Sequence, residues 1–288
     1  MAHYVCVSRY DYDVLIVINK TIYIYITHIY IFIYNVLLTG TWLDAIGKET
    51  FKQNFLLRLS ISLLERIKYS TKMKTLIVVD MQNDFISPLG SLTVPKGEEL
   101  INPISDLMQD ADRDWHRIVV TRDWHPSRHI SFAKNHKDKE PYSTYTYHSP
   151  RPGDDSTQEG ILWPVHCVKN TWGSQLVDQI MDQVVTKHIK IVDKGFLTDR
   201  EYYSAFHDIW NFHKTDMNKY LEKHHTDEVY IVGVALEYCV KATAISAAEL
   251  GYKTTVLLDY TRPISDDPEV INKVKEELKA HNINVVDK

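Results

Sequence analysis

The chain is 288 residues long, with 44% hydrophobic and 25% charged residues, which excludes disorder as the main state and excludes a collagen-like or polytopic membrane protein. The net charge is −5, from 33 Lys/Arg and 38 Asp/Glu, so no basic excess points to nucleic acid as a partner. Three cysteines, Cys6, Cys167 and Cys239, are too few for a disulfide framework and suit a reducing compartment rather than a secreted protein.

Residues 1–72 stand apart. All ten prolines lie at Pro88 or later, yet this stretch holds eight of the 18 tyrosines and a charge of +3. Residues 21–38, TIYIYITHIYIFIYNVLL, have strand period, but such a strand would be apolar on both faces. A membrane anchor is one reading, since about 18–20 apolar residues span a bilayer. His28 and Asn35 interrupt the run, however, and Asn19 and Lys20 flank it. A secretory signal fits less well, because the run is long and no small-residue cleavage site follows. The favoured reading is translated AT-rich non-coding DNA, in which an alternating TA tract yields Tyr-Ile repeats. Residues 1–72 are then a leader outside the functional protein, which begins at Met73, occupies 73–288 and has no membrane partner.

From Met73 the pattern is regular. Residues 75–80, TLIVVD, read as a first strand, and 98–112 as a helix with Leu100, Ile101, Ile104, Leu107 and Met108 on one face. A strand is expected at 116–121, then a long loop from about 134 to 162, the place for an insertion or lid. Further helices are expected at 172–184, 201–213, 216–225, 237–250 and 268–281, the fourth closed by Gly251. Strands are expected at 188–193, 228–234, 253–259 and 283–286. Strands alternating with helices imply crossover units, hence an α/β protein with a three-layer αβα architecture and a mostly parallel, Rossmann-like sheet.

Such sheets place ligands beyond the carboxyl ends of their strands. Read there, the chain offers Asp80, then Asp123-Trp124-His125, then Asp193-Lys194-Gly195, then Glu237-Tyr238-Cys239. Cys239 opens a helix, where free N–H groups and the helix dipole favour a thiolate. Lys194 adds a positive charge, and Asp80 is a candidate general base. Alone, each has a plainer explanation: a small core residue, a solvated charge, a turn or cap residue. Their convergence on consecutive strand ends argues for chemistry.

Asp123 and His125, two residues apart in an extended segment, point the same way. His166, in WPVHC after the long loop, is the best third ligand. One Asp and two His suit a borderline divalent ion such as zinc, although iron and manganese remain candidates. His129 is a candidate fourth ligand or a partner behind the ligands. His207, His213, His224 and His225 are left as surface or packing residues, and Cys167 as a buried thiol.

LIVVDMQNDF (76–85), TRDWHPSRHISF (121–132), WPVHCV (163–168), VDKGF (192–196) and GVALEYCVKATAISAAELGY (233–252) together resemble the nicotinamidases, close to the budding-yeast type, of the isochorismatase-like cysteine hydrolase superfamily. The resemblance covers 73–288 and omits the leader. It implies the isochorismatase-like hydrolase fold, with Asp80, Lys194 and Cys239 as the catalytic triad and Asp123, His125 and His166 as the ligands of one zinc ion. It further implies an oxyanion hole from the N–H groups of Ala235 and Cys239, a cis Val234–Ala235 bond, and Phe85, Trp163 and Tyr203 around the substrate ring. His129 does not match the spacing of the further metal-binding histidine of some bacterial relatives.

The implied reaction is hydrolysis of nicotinamide to nicotinate and ammonia through a cysteine thioester, serving NAD salvage and nicotinamide clearance, with pyrazinamide as an analogue substrate. A homo-oligomer is compatible with the resemblance, as is a cytoplasmic, nuclear or carried-in peroxisomal location. Isochorismatases lack the nucleophilic cysteine and carbamoyl-amide hydrolases lack the metal set. The remaining alternatives are a superfamily amidohydrolase for a related small amide and a membrane-tethered, non-catalytic relative.

Overall fold

The structure, a computed structural model, describes residues 4–5, 16–17 and 72–287. The chain divides into two units, Met1–Thr71 and Lys72–Lys288. Of the first, only the two-residue strands Tyr4–Val5 and Ile16–Val17, paired antiparallel, are described. The Ile/Tyr run at 21–38, on which the leader reading rests, lies outside the described residues. Among the described residues no helix is long and apolar enough to cross a membrane.

The second unit is built on six parallel strands: β1 (Lys74–Val79), β2 (Arg117–Asp123), β5 (Lys190–Lys194), β6 (Glu228–Val234), β7 (Lys253–Arg262) and β8 (Asn284–Val286). Their order is β8-β7-β6-β1-β2-β5. The chain fills one side of β1, then returns to fill the other, so the strand order reverses at β1. The carboxyl ends on either side of it form the crevice where open parallel sheets bind ligands.

Alternate side chains of each strand enter opposite layers. Leu76, Val78, Val120 and Val232 pack with Ile104 and Leu107 of α2 (Ile101–Gln109) and with Ile180 and Val184 of α3 (Asp178–Thr186). Ile77, Val79, Val119 and Ile231 face the other way. They meet Leu221 of α4 (Met217–Lys223), Ala244 and Ala247 of α5 (Lys241–Glu249), and Val274 and Leu278 of α6 (Pro268–Ala280). The three-layer αβα expectation holds. Apolar residues on both faces are what a sheet covered on both sides requires.

Three local expectations are corrected. Residues 201–213 are not helical: the buried Asp208 carboxylate accepts the N–H groups of Trp210, Phe212 and His213, which folds the segment on itself. The helix expected from 172 starts at Asp178, because residues 173–177 instead pair with 81–84, Asp84 N–H bonding Gly173 O at 3.0 Å and Val177 N–H bonding Met81 O at 2.9 Å. Within the long 134–162 segment, β3 (Thr144–His148) and β4 (Thr157–Ile161) form an antiparallel hairpin.

Candidate active site

Each strand end contributes a side chain. Asp80 follows β1 in the left-handed region (φ 52°), uncommon for a non-glycine residue though less so for Asp. Its carbonyl accepts Gln82 N–H at 2.7 Å, turning the chain into α1 (Asn83–Ile86). On β2, Thr121 holds Asp80 twice: its hydroxyl donates to Oδ1 at 2.6 Å and accepts the Asp80 N–H at 3.2 Å. Gln82 fixes the end of β2 by accepting Asp123 N–H at 2.7 Å and donating to Asp123 O at 2.8 Å. β5 ends in Lys194. β6 leads through a cis Val234–Ala235 bond into a π-turn, Leu236–Val240, carrying Cys239. Gly233 is required there, at φ 114°, because a Cβ would meet Val79 O at 2.1 Å.

Lys194 is the hub. Its ammonium lies 2.9 Å from Asp80 Oδ2, 2.5 Å from Asp123 Oδ1 and 3.3 Å from Cys239 Sγ, with no exposed surface. Burial opposes the charge, but the two carboxylates and the thiol outweigh it and hold Lys194 well above its usual value. Burial pushes Asp80 up from the ordinary carboxylate value, with Lys194 acting against it. Burial likewise pushes the Cys239 thiol well up, again against Lys194. A buried thiol, a base of raised basicity and a permanent cation thus stand in contact.

Asp123, His125 and His166 offer three buried ligand atoms within 4.8 Å of one another. Asp123 Oδ2 lies 3.5 Å from His125 Nε2 and 3.8 Å from His166 Nε2. His125 Nδ1 is 2.9 Å from Gly195 O, and His166 Nδ1 is 2.7 Å from Pro164 O. A carbonyl only accepts, so each Nδ1 is the donor and each Nε2 is the atom turned toward Asp123. Burial, reinforced by His125, brings His166 down to about 4, which keeps it neutral. These donors fit a tetrahedral or five-coordinate divalent ion. His129 is not among them: its Nδ1 pairs with Ser131 Oγ at 2.7 Å and its Nε2 with Arg200 O at 3.0 Å, while its ring lies 4.1 Å from that of His125. It backs His125.

Above these groups lies a cavity of about 360 Å³, including space open to solvent. Phe85, Trp163, Tyr203, Ala235, Asp123, His166 and Cys239 all line it, whereas Asp80 and Lys194 are buried behind the sulfur. Cys239 is 8% exposed and forms part of the cavity wall. The aromatic wall is interlocked: Trp163 Nε1 donates to Tyr203 Oη at 3.3 Å, and Trp163 meets Tyr238 edge-on at 4.8 Å between ring centres.

Several further residues, given no role by the sequence, join the site. Tyr238, Leu92, Ile264 and the buried Glu201 also line the cavity. Glu237 accepts the N–H groups of Ile264 and Ser265, tying that loop to the cysteine turn. Asp84 accepts Cys167 N–H at 2.7 Å and so holds the loop carrying His166. Tyr238 and Glu237 sit beside Cys239 in sequence, which was the available signal. Glu201 had none, lying in a segment read as helix.

The isochorismatase domain model matches residues 74–270. A nicotinamidase of Acinetobacter baylyi is 37% identical over 190 residues, 66% of this chain and 81% of that protein. Among solved structures, a pyrazinamidase of Pyrococcus horikoshii in complex with zinc is 33% identical, with a TM-score of 0.56 over 75% of this chain and 99% of its own. A protein of L. infantum in complex with nicotinate is 28% identical, with a TM-score of 0.61 over 76% of this chain and 94% of its own. The fold, the strand-end site and these matches agree: the chain belongs to the isochorismatase family of hydrolases.

Proposed function

We propose that the chain, through residues 73–288, hydrolyses nicotinamide to nicotinate and ammonia, with pyrazinamide as an analogue substrate. The observation that carries this reading is the sulfur of Cys239 on the wall of an aromatic-lined cavity, 3.3 Å from Lys194 and within 4.8 Å of a carboxylate oxygen of Asp80, with Asp123 and His166 of the Asp-His-His cluster lining the same cavity. The nicotinamidase from Acinetobacter baylyi and the nicotinate-bound structure from L. infantum support the choice of a pyridine carboxamide.

In this mechanism Asp80 takes the thiol proton and Cys239 Sγ attacks the amide carbon. Lys194 stabilises the paired negative charges. The N–H groups of Ala235 and Cys239 receive the oxyanion; one such donor typically contributes about 10²–10³ in rate. Asp80 then gives its proton to the departing ammonia, leaving a nicotinoyl thioester. Asp80 deprotonates a water molecule that attacks the thioester, and the proton returns to sulfur as nicotinate leaves. Asp123, His125 and His166 would hold a zinc ion, which when bound supplies a Lewis acid for the pyridine nitrogen and thereby orients the ring. Phe85, Trp163, Tyr203 and Tyr238 enclose the ring and exclude water.

Release of ammonia and nicotinate from nicotinamide by the purified chain is the direct test. Turnover by wild type and none by Cys239→Ala is the expected result; no turnover by zinc-loaded wild type refutes the proposal.

A further inference from the structure

Asp80, Asp123 and Cys239 form a second set of three buried ligand atoms within 4.8 Å of one another. The set shares Asp123 with the Asp-His-His cluster; Asp123 meets Lys194 through Oδ1, whereas its Oδ2 faces His125 and His166. The Lys194 ammonium contacts all three residues, at 2.9 Å from Asp80 Oδ2, 2.5 Å from Asp123 Oδ1 and 3.3 Å from Cys239 Sγ, with Tyr202 O at 3.4 Å as a fourth acceptor.

We propose that Lys194 is a built-in occupant of a cation site, and that it keeps the divalent ion of the neighbouring cluster off the nucleophilic sulfur. The inference rests on the reading that Asp123, His125 and His166 hold a metal. Two oxygens and a sulfur are donors zinc takes readily, at about 2.0–2.2 Å for oxygen and about 2.3 Å for sulfur. A carboxylate shared between two ions about 3.5–4 Å apart is the common frame of two-metal sites, and Asp123 is placed to bridge in this way. A sulfur bound to zinc has its lone pairs committed to the metal and attacks a carbonyl poorly. A tethered ammonium supplies the positive charge the buried carboxylates need and leaves the sulfur's lone pairs available. Lys194 therefore separates a metal half of the site from a covalent half that share one carboxylate.

The metal-stripped full chain, titrated with Co²⁺ and separately with Zn²⁺, tests this. Wild type is expected to take one equivalent, with no thiolate-to-cobalt charge-transfer band. Iodoacetamide should alkylate Cys239, followed on its own peptide, at a rate excess zinc does not change. Lys194→Met removes the charge and nearly keeps the volume. It should take two equivalents and show the charge-transfer band, with the Cys239 proton released. Zinc should slow its alkylation about tenfold or more, reversed by a chelator, because the thiolate is both nucleophile and ligand. Lys194→Arg should keep one equivalent and no band. One equivalent and no band in folded Lys194→Met overturns the proposal, as does a band in wild type. If Lys194→Met does not fold, wild type and Lys194→Arg decide: absence of the band in both, with unchanged alkylation, supports the proposal, and a band in either overturns it. Wild type taking up no cobalt refutes the metal reading instead, and the Lys194→Met spectrum then judges this proposal separately.

Discussion

Lys194 and Asp123 meet at 2.5 Å through Oδ1, while Oδ2 of the same carboxylate faces His125 and His166. One side chain thus belongs both to the cluster that would hold a metal and to the group of charges around Lys194, beside the Cys239 sulfur. Lys194 and His125 outweigh the cost of its burial and hold Asp123 below the usual carboxylate range. Asp123→Asn should lower zinc affinity by about 100-fold or more and also remove one of the two carboxylates on Lys194. Metal content and turnover should therefore fall together. Full turnover in a metal-depleted Asp123→Asn protein contradicts the coupling.

Gly195 tests the Asp-His-His cluster from outside. It has φ 70°, and a Cβ there would lie 2.3 Å from Cε1 of His125. Gly195→Ala should displace the imidazole and weaken zinc binding about tenfold or more. The left-handed backbone adds a stability cost of roughly 1 kcal/mol. Cys239 alkylation in metal-free protein should stay close to wild type. Isothermal titration with zinc, set beside that rate, checks the prediction.

The pH dependence follows from Asp80. Its carboxyl is raised by burial, and protonation removes the base. The acid limb of kcat/KM should therefore lie above 3.8, the value of an ordinary Asp, with activity falling as pH drops through it. The Thr121 hydroxyl bond favours the charged carboxylate. Thr121→Val should move the limb to still higher pH, and pH–rate profiles of both proteins with metal saturated measure the shift. A downward shift contradicts the assignment of the limb to Asp80.

Much of this site was legible in the sequence because parallel sheets bring strand ends together whatever the distance along the chain. Asp80, Asp123, Lys194 and Cys239 each close or follow an apolar run, and the structure gathers them around one ammonium. What stayed hidden depends on contacts across the chain. Residues 201–213 carry helix-like apolar spacing, yet Asp208 captures their N–H groups, and so Glu201 and Tyr202 reach the cavity from a loop. The role of Gln82 comes from an amide spanning residues 41 apart, and local periodicity carries no trace of that.

Tyr238 packs edge-on against Trp163 and at 5.6 Å from the Tyr203 ring. Tyr238 is half-buried, so truncating it gives up only part of the roughly 1.5–3 kcal/mol that full burial of a large side chain contributes. Tyr238→Ala should therefore raise KM for nicotinamide by up to about tenfold and change kcat less. A kcat loss at unchanged KM would show that the ring acts on the cysteine turn instead of on substrate.

The proposed reaction requires that Cys239 becomes acylated. Acid-quenching the enzyme during turnover of nicotinamide, followed by peptide mass spectrometry, reads it directly. One nicotinoyl group is expected on the peptide containing Cys239, absent without substrate and lost as turnover ends. Undiminished ammonia release by Cys239→Ala, or the acyl group on another residue, contradicts it.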